Sequence, residues 1–399
     1  MAKIKSIYGR EILDSRANST IEVDVELEDG SLGRASIPAG ASTGHWEAYK
    51  IADANKSLEN LEILKKVLIG QESAEQEKLD LMMINSDGTP NKENLGSNVI
   101  LALSLAICSA TANSQKKPLY RYINEISKIK LDSFKMPTPL FNIINGGKHA
   151  DNNLPFQEFM IIPTANISFR EKLMVGAKVY NQLKSDLKKM NLSVAVGDEG
   201  GFAPRLNSNE EALELLVQSI QNSGLKPMEE MAIGLDVAAS SIPDLNAVTY
   251  PQTPIDYYAG LIEKYPIDLI EDPLGEDDWA GWAELTQRVA QKIKLVGDDI
   301  FTTNPSRLQM GIEKKVANSI IIKPDQIGTL TETIRTVVLA KQANYSVIVS
   351  HRSGETESIF ISDLAVGIGA DYIKSGAPAR GERVSKYNQI LRIEESLQQ

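Results

Sequence analysis

Six short apolar runs in the second half of the chain each end on a charged or imidazole side chain. MAIGLD closes on Asp236, IDLIE on Glu271, KLVGD on Asp298, IIIK on Lys323, VIVSH on His351 and DYIK on Lys374. These ends recur at intervals of roughly 23 to 35 positions, about one strand, loop and helix each. The period predicts a β/α barrel with parallel strands buried on both faces and an active site where the strands end. LSVAVGDE, which closes on Glu199, reads as an earlier strand of the same barrel. An open doubly wound sheet would carry a glycine-rich phosphate or dinucleotide turn, and neither GxGxxG nor a P-loop pattern occurs.

The first part of the chain has a different texture. In TIEVDVELEDGSLGRASI, Ile21, Val23, Val25 and Leu27 alternate with acidic residues, which predicts a strand with one buried face, and Asp29-Gly30 offers a hairpin turn. Helical patterns follow at 58–69 and 98–113, the second apolar enough to pack against a sheet. The proline-containing stretch LDSFKMPTPLFN separates the two textures. The predicted division is an N-terminal α+β domain over residues 1–132 and a C-terminal β/α barrel over 133–399.

A chain of 399 residues, 42% hydrophobic and 24% charged, is long enough for two such domains. A formal net charge of -11 disfavours nucleic acid and anionic membrane surfaces as partners, but leaves a small phosphorylated substrate open if cations line its pocket. The single cysteine, Cys108, lies in the apolar run LALSLAICSA and reads as a packing residue in a reducing compartment. The N-terminus lacks the apolar core of a secretory signal and no unbroken apolar run reaches the roughly 18 residues of a membrane span, so the expectation is a cytoplasmic protein.

Asp236, Glu271 and Asp298 offer hard oxygen donors at one barrel mouth. A single aspartate there is an ordinary helix cap, but three would repel each other without a cation between them. With no Cys or His at matching positions, Mg²⁺ is favoured over zinc. Lys323 and Lys374 bring two ammonium groups to the same mouth, where each can depress the other's pKa until one is neutral enough to act as a base. Arg352 and Ser353, next to His351, suit phosphate oxygens. Glu199 sits among glycines in GDEGG, and His149 lies in the glycine-containing loop NGGKHADNN, flexible enough to close over a ligand.

Together, NIINGGKHADNN, QEFM, AVGDEGGFAP, LIED, LVGDDIF, ANSIIIKPDQIG, SHRSGET and KYNQILRIEE closely resemble the enolase family, and the likeness runs from GREILDSR to RIEE. The resemblance implies dehydration of 2-phosphoglycerate to phosphoenolpyruvate with two Mg²⁺ ions per active site. It makes Asp236, Glu271 and Asp298 the ligands of the first ion, and Ser42, in GASTG, the loop residue that completes the second site. It makes Lys323 the base at C2 and Glu199 the acid at the departing hydroxyl, assisted by His149 and Glu158. Lys374 would contact the substrate carboxylate, and His351, Arg352 and Ser353 the phosphate. For Glu199 to be an acid it must be protonated, and Glu158 is expected to share that proton. The resemblance also implies a homodimer, with Arg16 and Glu22 pairing across the interface with Glu395 and Arg392. Departures from the family pattern are Ala17, Ser19 and Ala39, a short segment between Asp236 and Glu271, and a tail that stops soon after RIEE.

Overall fold

In a computed structural model, described over residues 2–40 and 44–398, a small sheet and its helices precede a closed eight-stranded barrel. Strands β1 (Ile4–Leu13), β2 (Ser19–Leu27) and β3 (Leu32–Ser36) form an antiparallel sheet, the last two joined through Asp29-Gly30 as the sequence predicts. The alternation in β2 buries Ile21, Val23, Val25 and Leu27 against the helix Ser97–Ser114. That helix is long and apolar enough to cross a membrane, yet it is buried between this sheet and the short barrel helix Pro324–Ile327. Cys108, on the same helix, is buried and unpaired.

The barrel is built from β4 (Thr138–Asn145), β5 (Glu158–Pro163), β6 (Met231–Asp236), β7 (Ile267–Glu271), β8 (Lys294–Gly297), β9 (Ser319–Ile322), β10 (Ser346–Ser350) and β11 (Tyr372–Lys374). β11 closes it by pairing with both β10 and β4. Two expectations are corrected here. The barrel is not wholly parallel, because β5 runs antiparallel to both β4 and β6. LSVAVGDE is not a barrel strand, because much of it is open to solvent, with Val196 39% exposed, whereas β4 is buried from Pro139 onward and β5 throughout. A buried barrel strand must be covered on both faces, and only the latter two segments are.

The pleat explains where the charges go. Leu140, Met160, Ile162, Ala232, Leu269, Val296, Ile321 and Ile348 form one closed apolar cluster, which plugs the barrel. Side chains two positions apart on a strand share a face. The interior position after Leu140 is therefore Asn142, after Ala232 and Gly234 it is Asp236, and after Leu269, Val296 and Ile321 it is Glu271, Asp298 and Lys323. Tyr372 packs on the plug and is followed by Lys374. Because β5 is reversed, its first residue rather than its last lies at this mouth, and that residue is Glu158, opposite Asp236.

The turn after β1 is held by Asp14, whose carboxylate accepts from the backbone of Arg16 and Asn18. Ala17 takes φ +59° there, in the left-handed region where a glycine would be unstrained. Ala39 uses only its backbone, in two 2.8 Å bonds with Gly354, so the departure at this position removes no contact to the barrel. Gly354 admits no side chain, since a Cβ would lie 2.5 Å from Asp14 Oδ2. The segment after Asp236 carries the helices Leu245–Thr249 and Pro254–Lys264, and the chain ends in the helix Gly381–Gln398.

Candidate active site

All the expected site residues outside the loop at Ser42 converge on one cleft. It is lined by His149, Glu158, Glu199, Asp236, Lys323, His351, Arg352, Ser353 and Lys374, together with Gly40, Gln157 and Ser350. Glu271 and Asp298 join through their lysine partners. Ser42 lies outside the described residues. The cleft is narrow, with a cavity volume of about 20 Å³ among the described residues, room for about one water molecule. A groove of about 720 Å³ between the helices Gln76–Asp87 and Leu330–Gln342 is larger, but it lies away from these groups.

Lysines neutralise the three carboxylates. Lys374 Nζ is 2.9 Å from Asp236 Oδ2, 2.8 Å from Glu271 Oε2 and 3.2 Å from Glu158 Oε1. Lys323 Nζ bonds Asp298, whose other oxygen accepts from Gln326 at 2.9 Å. Burial opposes charge on both lysines, but Asp298 holds Lys323 above the ordinary lysine range, and Asp236, with Glu158 and Glu271, does the same for Lys374. Facing carboxylates outweigh the repulsion between the two ammonium groups.

The carboxylates nevertheless fit a hard cation. Glu271 is pushed up to about 8 by burial and by the charge of Asp236, and its Oε1 is buried with no hydrogen-bond partner among the described residues. An oxygen donor left unsatisfied in an all-carboxylate cluster is what a magnesium ion takes up. Asp298 also belongs to a tighter acidic group with Asp272 and Asp299, whose donor atoms lie within 4.8 Å of one another. Asp272 is accounted for there by its bonds from the backbone N–H of Asp298 and of Asp299, at 3.0 and 2.8 Å.

Next to Lys374 lies an acid–imidazole cluster that shares Glu158 with it. Glu199 stands on a tight loop clasped by the Gly197 N–H to Gly201 carbonyl bond, with Gly200 at φ +87°. Its Oε2 accepts from Asn142 Nδ2 at 3.0 Å and lies 3.3 Å from His351 Nε2. The tautomer of His351 follows from its other side. Arg383 Nη1 sits 2.5 Å from His351 Nδ1, and a guanidinium can only donate, so Nδ1 accepts and Nε2 carries the proton toward Glu199. Burial pushes His351 down to about 4, and it also lowers His149.

Burial, reinforced by the charge of Glu199, raises Glu158 well above the carboxylate range. For Glu199, burial acts upward, but the facing His351 and His149 outweigh it and hold it low. These opposite shifts favour the proton on Glu158 over Glu199. His149 Nδ1 is 3.6 Å from one oxygen of each.

At the third wall, Arg352 donates through Nη1 and Nη2 to the two oxygens of Glu47, both at 3.0 Å, and through Nη1 to Asp325 at 2.7 Å. Burial acts to lower the guanidinium, and Asp325 and Glu47 outweigh it. Lys50 also bonds Asp325. Arg383 holds the strand-end loop from behind, donating to the carbonyls of Arg352 and Ser353 at 2.7 and 2.6 Å.

Within the chain, Arg16 contacts residues at the edge of this site. Its Nη1 donates to Ser353 Oγ at 3.2 Å and its Nε lies 3.3 Å from Asp198. Glu22 pairs with Arg10 of the same chain at 2.5 Å. Sequence reasoning missed Asn142, Gln157, Glu47, Asp325, Gln326 and Arg383. Asn142 was findable as the polar interior position after Leu140. Gln157, 3.3 Å from Asp236 Oδ2, was findable only once β5 was known to be reversed. The others come from loops and helices, which carry no period.

Comparison with protein families accords with this arrangement over nearly the whole chain. Residues 4–123 match the family model described as enolase, N-terminal domain, and residues 133–399 match that described as enolase, C-terminal TIM barrel domain.

Proposed function

The chain belongs to the enolase family, and on that premise we propose that it is a phosphopyruvate hydratase, a hydro-lyase that reversibly converts 2-phosphoglycerate to phosphoenolpyruvate. The observation that carries this reading is the convergence, in one cleft, of Lys323 with the Glu158–His149–Glu199 cluster and with Arg352 and Ser353. Removal of water across two adjacent carbons needs a base on one face and a proton donor on the other. A grip for phosphate oxygens beside them suits a phosphorylated acid better than an unphosphorylated one.

In this reading Lys323 takes the C2 proton, and it does so only when Asp298 shares its charge with another cation, since Asp298 otherwise keeps the ammonium protonated. Asp236, Glu271 and Asp298 would hold Mg²⁺, with a second ion at Ser42. Bound there, the metal supplies Lewis-acid stabilisation of charge developing on the substrate carboxylate. Lys374 faces that carboxylate from the barrel floor. Glu199 delivers a proton to the leaving hydroxyl, drawn from the store on Glu158, and His149 lies between the two. Arg352, Ser353 and His351 hold the phosphate end. We also propose a cytoplasmic homodimer acting in glycolysis and gluconeogenesis, in keeping with the acidic chain and its one buried cysteine.

The test is the appearance of phosphoenolpyruvate absorbance from 2-phosphoglycerate, with and without Mg²⁺, for the native chain and for Lys323→Ala. Magnesium-dependent turnover that Lys323→Ala abolishes, together with C2 proton exchange, is expected. Undiminished turnover in the variant would remove Lys323 as the base.

A further inference from the structure

We infer that Gln326 and Thr303, both fully buried, are positioning residues for Lys323. They close a ring of hydrogen bonds that starts and ends on that lysine and fixes how Asp298 meets it. The role, though not the ring, rests on the proposed function.

The Lys323 backbone N–H donates to Thr303 Oγ1 at 2.9 Å, and the Thr303 hydroxyl donates to Gln326 Oε1 at 2.7 Å. Gln326 Nε2 donates to Asp298 Oδ1 at 2.9 Å, and Asp298 Oδ2 takes the bond from Lys323 Nζ. Hydrogen accounting admits one direction around this ring. The ionised Asp298 only accepts, so the Gln326 atom that faces it must be Nε2. Oε1 then faces Thr303 and must receive the one proton of its hydroxyl. Turning the amide over would set an oxygen against a carboxylate, so the charge of Asp298 fixes every group in the circuit.

An independent sign is that the backbone is strained where the ring needs it. Thr302 and Thr303 both lie in the left-handed region, at φ +46° and +54°, where a β-branched residue is an outlier. The Asp298 carbonyl holds this turn by accepting from the N–H of Phe301 and of Thr302 at 3.0 and 2.7 Å. The Thr336 hydroxyl holds it from the other side, donating to the Thr303 carbonyl at 2.7 Å. A turn that only joined two elements would be served by glycine or asparagine here, and glycine would bring no hydroxyl to Lys323 and Gln326. Gln326 is held at its backbone as well. Its N–H donates to the Lys323 carbonyl at 3.0 Å, and its carbonyl accepts from the Ala48 N–H of the first domain at 2.8 Å.

The ring makes the two oxygens of Asp298 unequal. Oδ1 is committed to a neutral, buried amide, which leaves Oδ2, on the Lys323 side, as the oxygen whose bond can loosen. Under the proposed function that loosening lets Lys323 take the C2 proton. Loss of either ring member therefore misdirects the lysine without removing a substrate contact, and a misplacement on the order of 1 Å can cost ~10²-fold in rate.

The experiment compares the full-length native chain with Thr303→Val, Thr303→Ser and Gln326→Leu in saturating Mg²⁺, at a temperature where circular dichroism shows each to be folded. Valine keeps the branching of threonine and removes the hydroxyl, whereas serine keeps the hydroxyl. Thr303→Val and Gln326→Leu are expected to lose at least about tenfold in kcat and in C2 proton exchange, with KM for 2-phosphoglycerate within about twofold of native. Thr303→Ser should restore most of both rates. A smaller loss of kcat, a loss confined to KM, or a serine variant as impaired as the valine one overturns the role. If Gln326→Leu fails to fold, the valine and serine pair decides. Crystal structures of the variants give a readout independent of turnover, in which the Asp298 carboxylate or the Lys323 side chain should leave its native position, and both unmoved would overturn the inference. A native chain that does not turn over 2-phosphoglycerate counts against the hydratase reading, and those positions then still judge the ring.

Discussion

Arg352 and Glu47 form a two-pronged ion pair, both bonds 3.0 Å, between the barrel mouth and the first domain's segment from Gly44 onward. The arginine proposed to hold phosphate already carries a carboxylate on its fork, and an incoming anion must share it. Two unit charges ~4 Å apart exchange about 4 kcal/mol at an effective dielectric of 20, and part of that opposes anion binding here. Glu47→Gln is therefore expected to tighten binding of inorganic phosphate about tenfold by calorimetry, corresponding to ~1.4 kcal/mol. Unchanged or weaker binding would show that Glu47 orients the guanidinium and does not compete for it.

Removing Lys374 tests how the acidic barrel mouth is neutralised. Lys374→Met leaves Asp236, Glu271 and Glu158 buried around a missing cation, a type of loss that costs roughly 3–5 kcal/mol. In chelator the variant should melt far below the native chain, and saturating Mg²⁺ should recover more stability for the variant than for the native chain. Equal magnesium-dependent gains in the two proteins would mean that lysine and metal do not occupy the same electrostatic role.

The opposite shifts of Glu158 and Glu199 separate the two glutamates experimentally. Glu158→Gln resembles the protonated acid and should leave the melting temperature close to native. Glu199→Gln presents Asn142 and His351 with one acceptor fewer, and should destabilise by roughly 1–3 kcal/mol. Under the proposed function, Glu199→Gln loses dehydration by at least ~10²-fold while C2 proton exchange survives. Equal loss of both reactions would contradict the separate roles of Lys323 and Glu199.

Stability should also depend on pH through Asp80, a buried carboxyl that accepts from the Thr331 N–H at 3.0 Å and hydroxyl at 2.6 Å, joining the first domain to the barrel. Burial pushes it up to about 6 from an ordinary 3.8. Because the folded value is raised, its stabilising contribution is full below pH 3.8 and is lost as pH rises through 6. The loss amounts to roughly 3 kcal/mol between these limits. Denaturant unfolding from pH 4 to 7 should show this decline in the native chain and not in Asp80→Asn. Parallel curves would refute it.

Much of the barrel was legible because a buried strand must be apolar until it reaches the mouth. Asp236, Glu271, Asp298, Lys323, His351 and Lys374 follow such runs, and the structure puts each at or just beyond the end of a strand. Glu199 was found by its glycines but given the wrong setting, since an apolar run alone does not say whether both faces are covered. The reversal of β5 was hidden for a related reason: EFMIIP reads the same in either direction, and only its pairing partners reveal that Glu158 begins the strand at the mouth. Arg16 entered only through the family resemblance, since a charged residue in a turn carries no period, and its contact with Ser353 becomes visible only in the fold.

The lysines that bridge Asp236, Glu271 and Asp298 bear on how such a chain matures. A barrel whose acidic mouth depended on metal for cohesion would have to meet its ions while still assembling. Here Lys374 and Lys323 lie on the same polypeptide as the carboxylates they bond. Under the proposed function, loading of Mg²⁺ is then an exchange of one counterion for another at a mouth whose charges the chain's own lysines already offset.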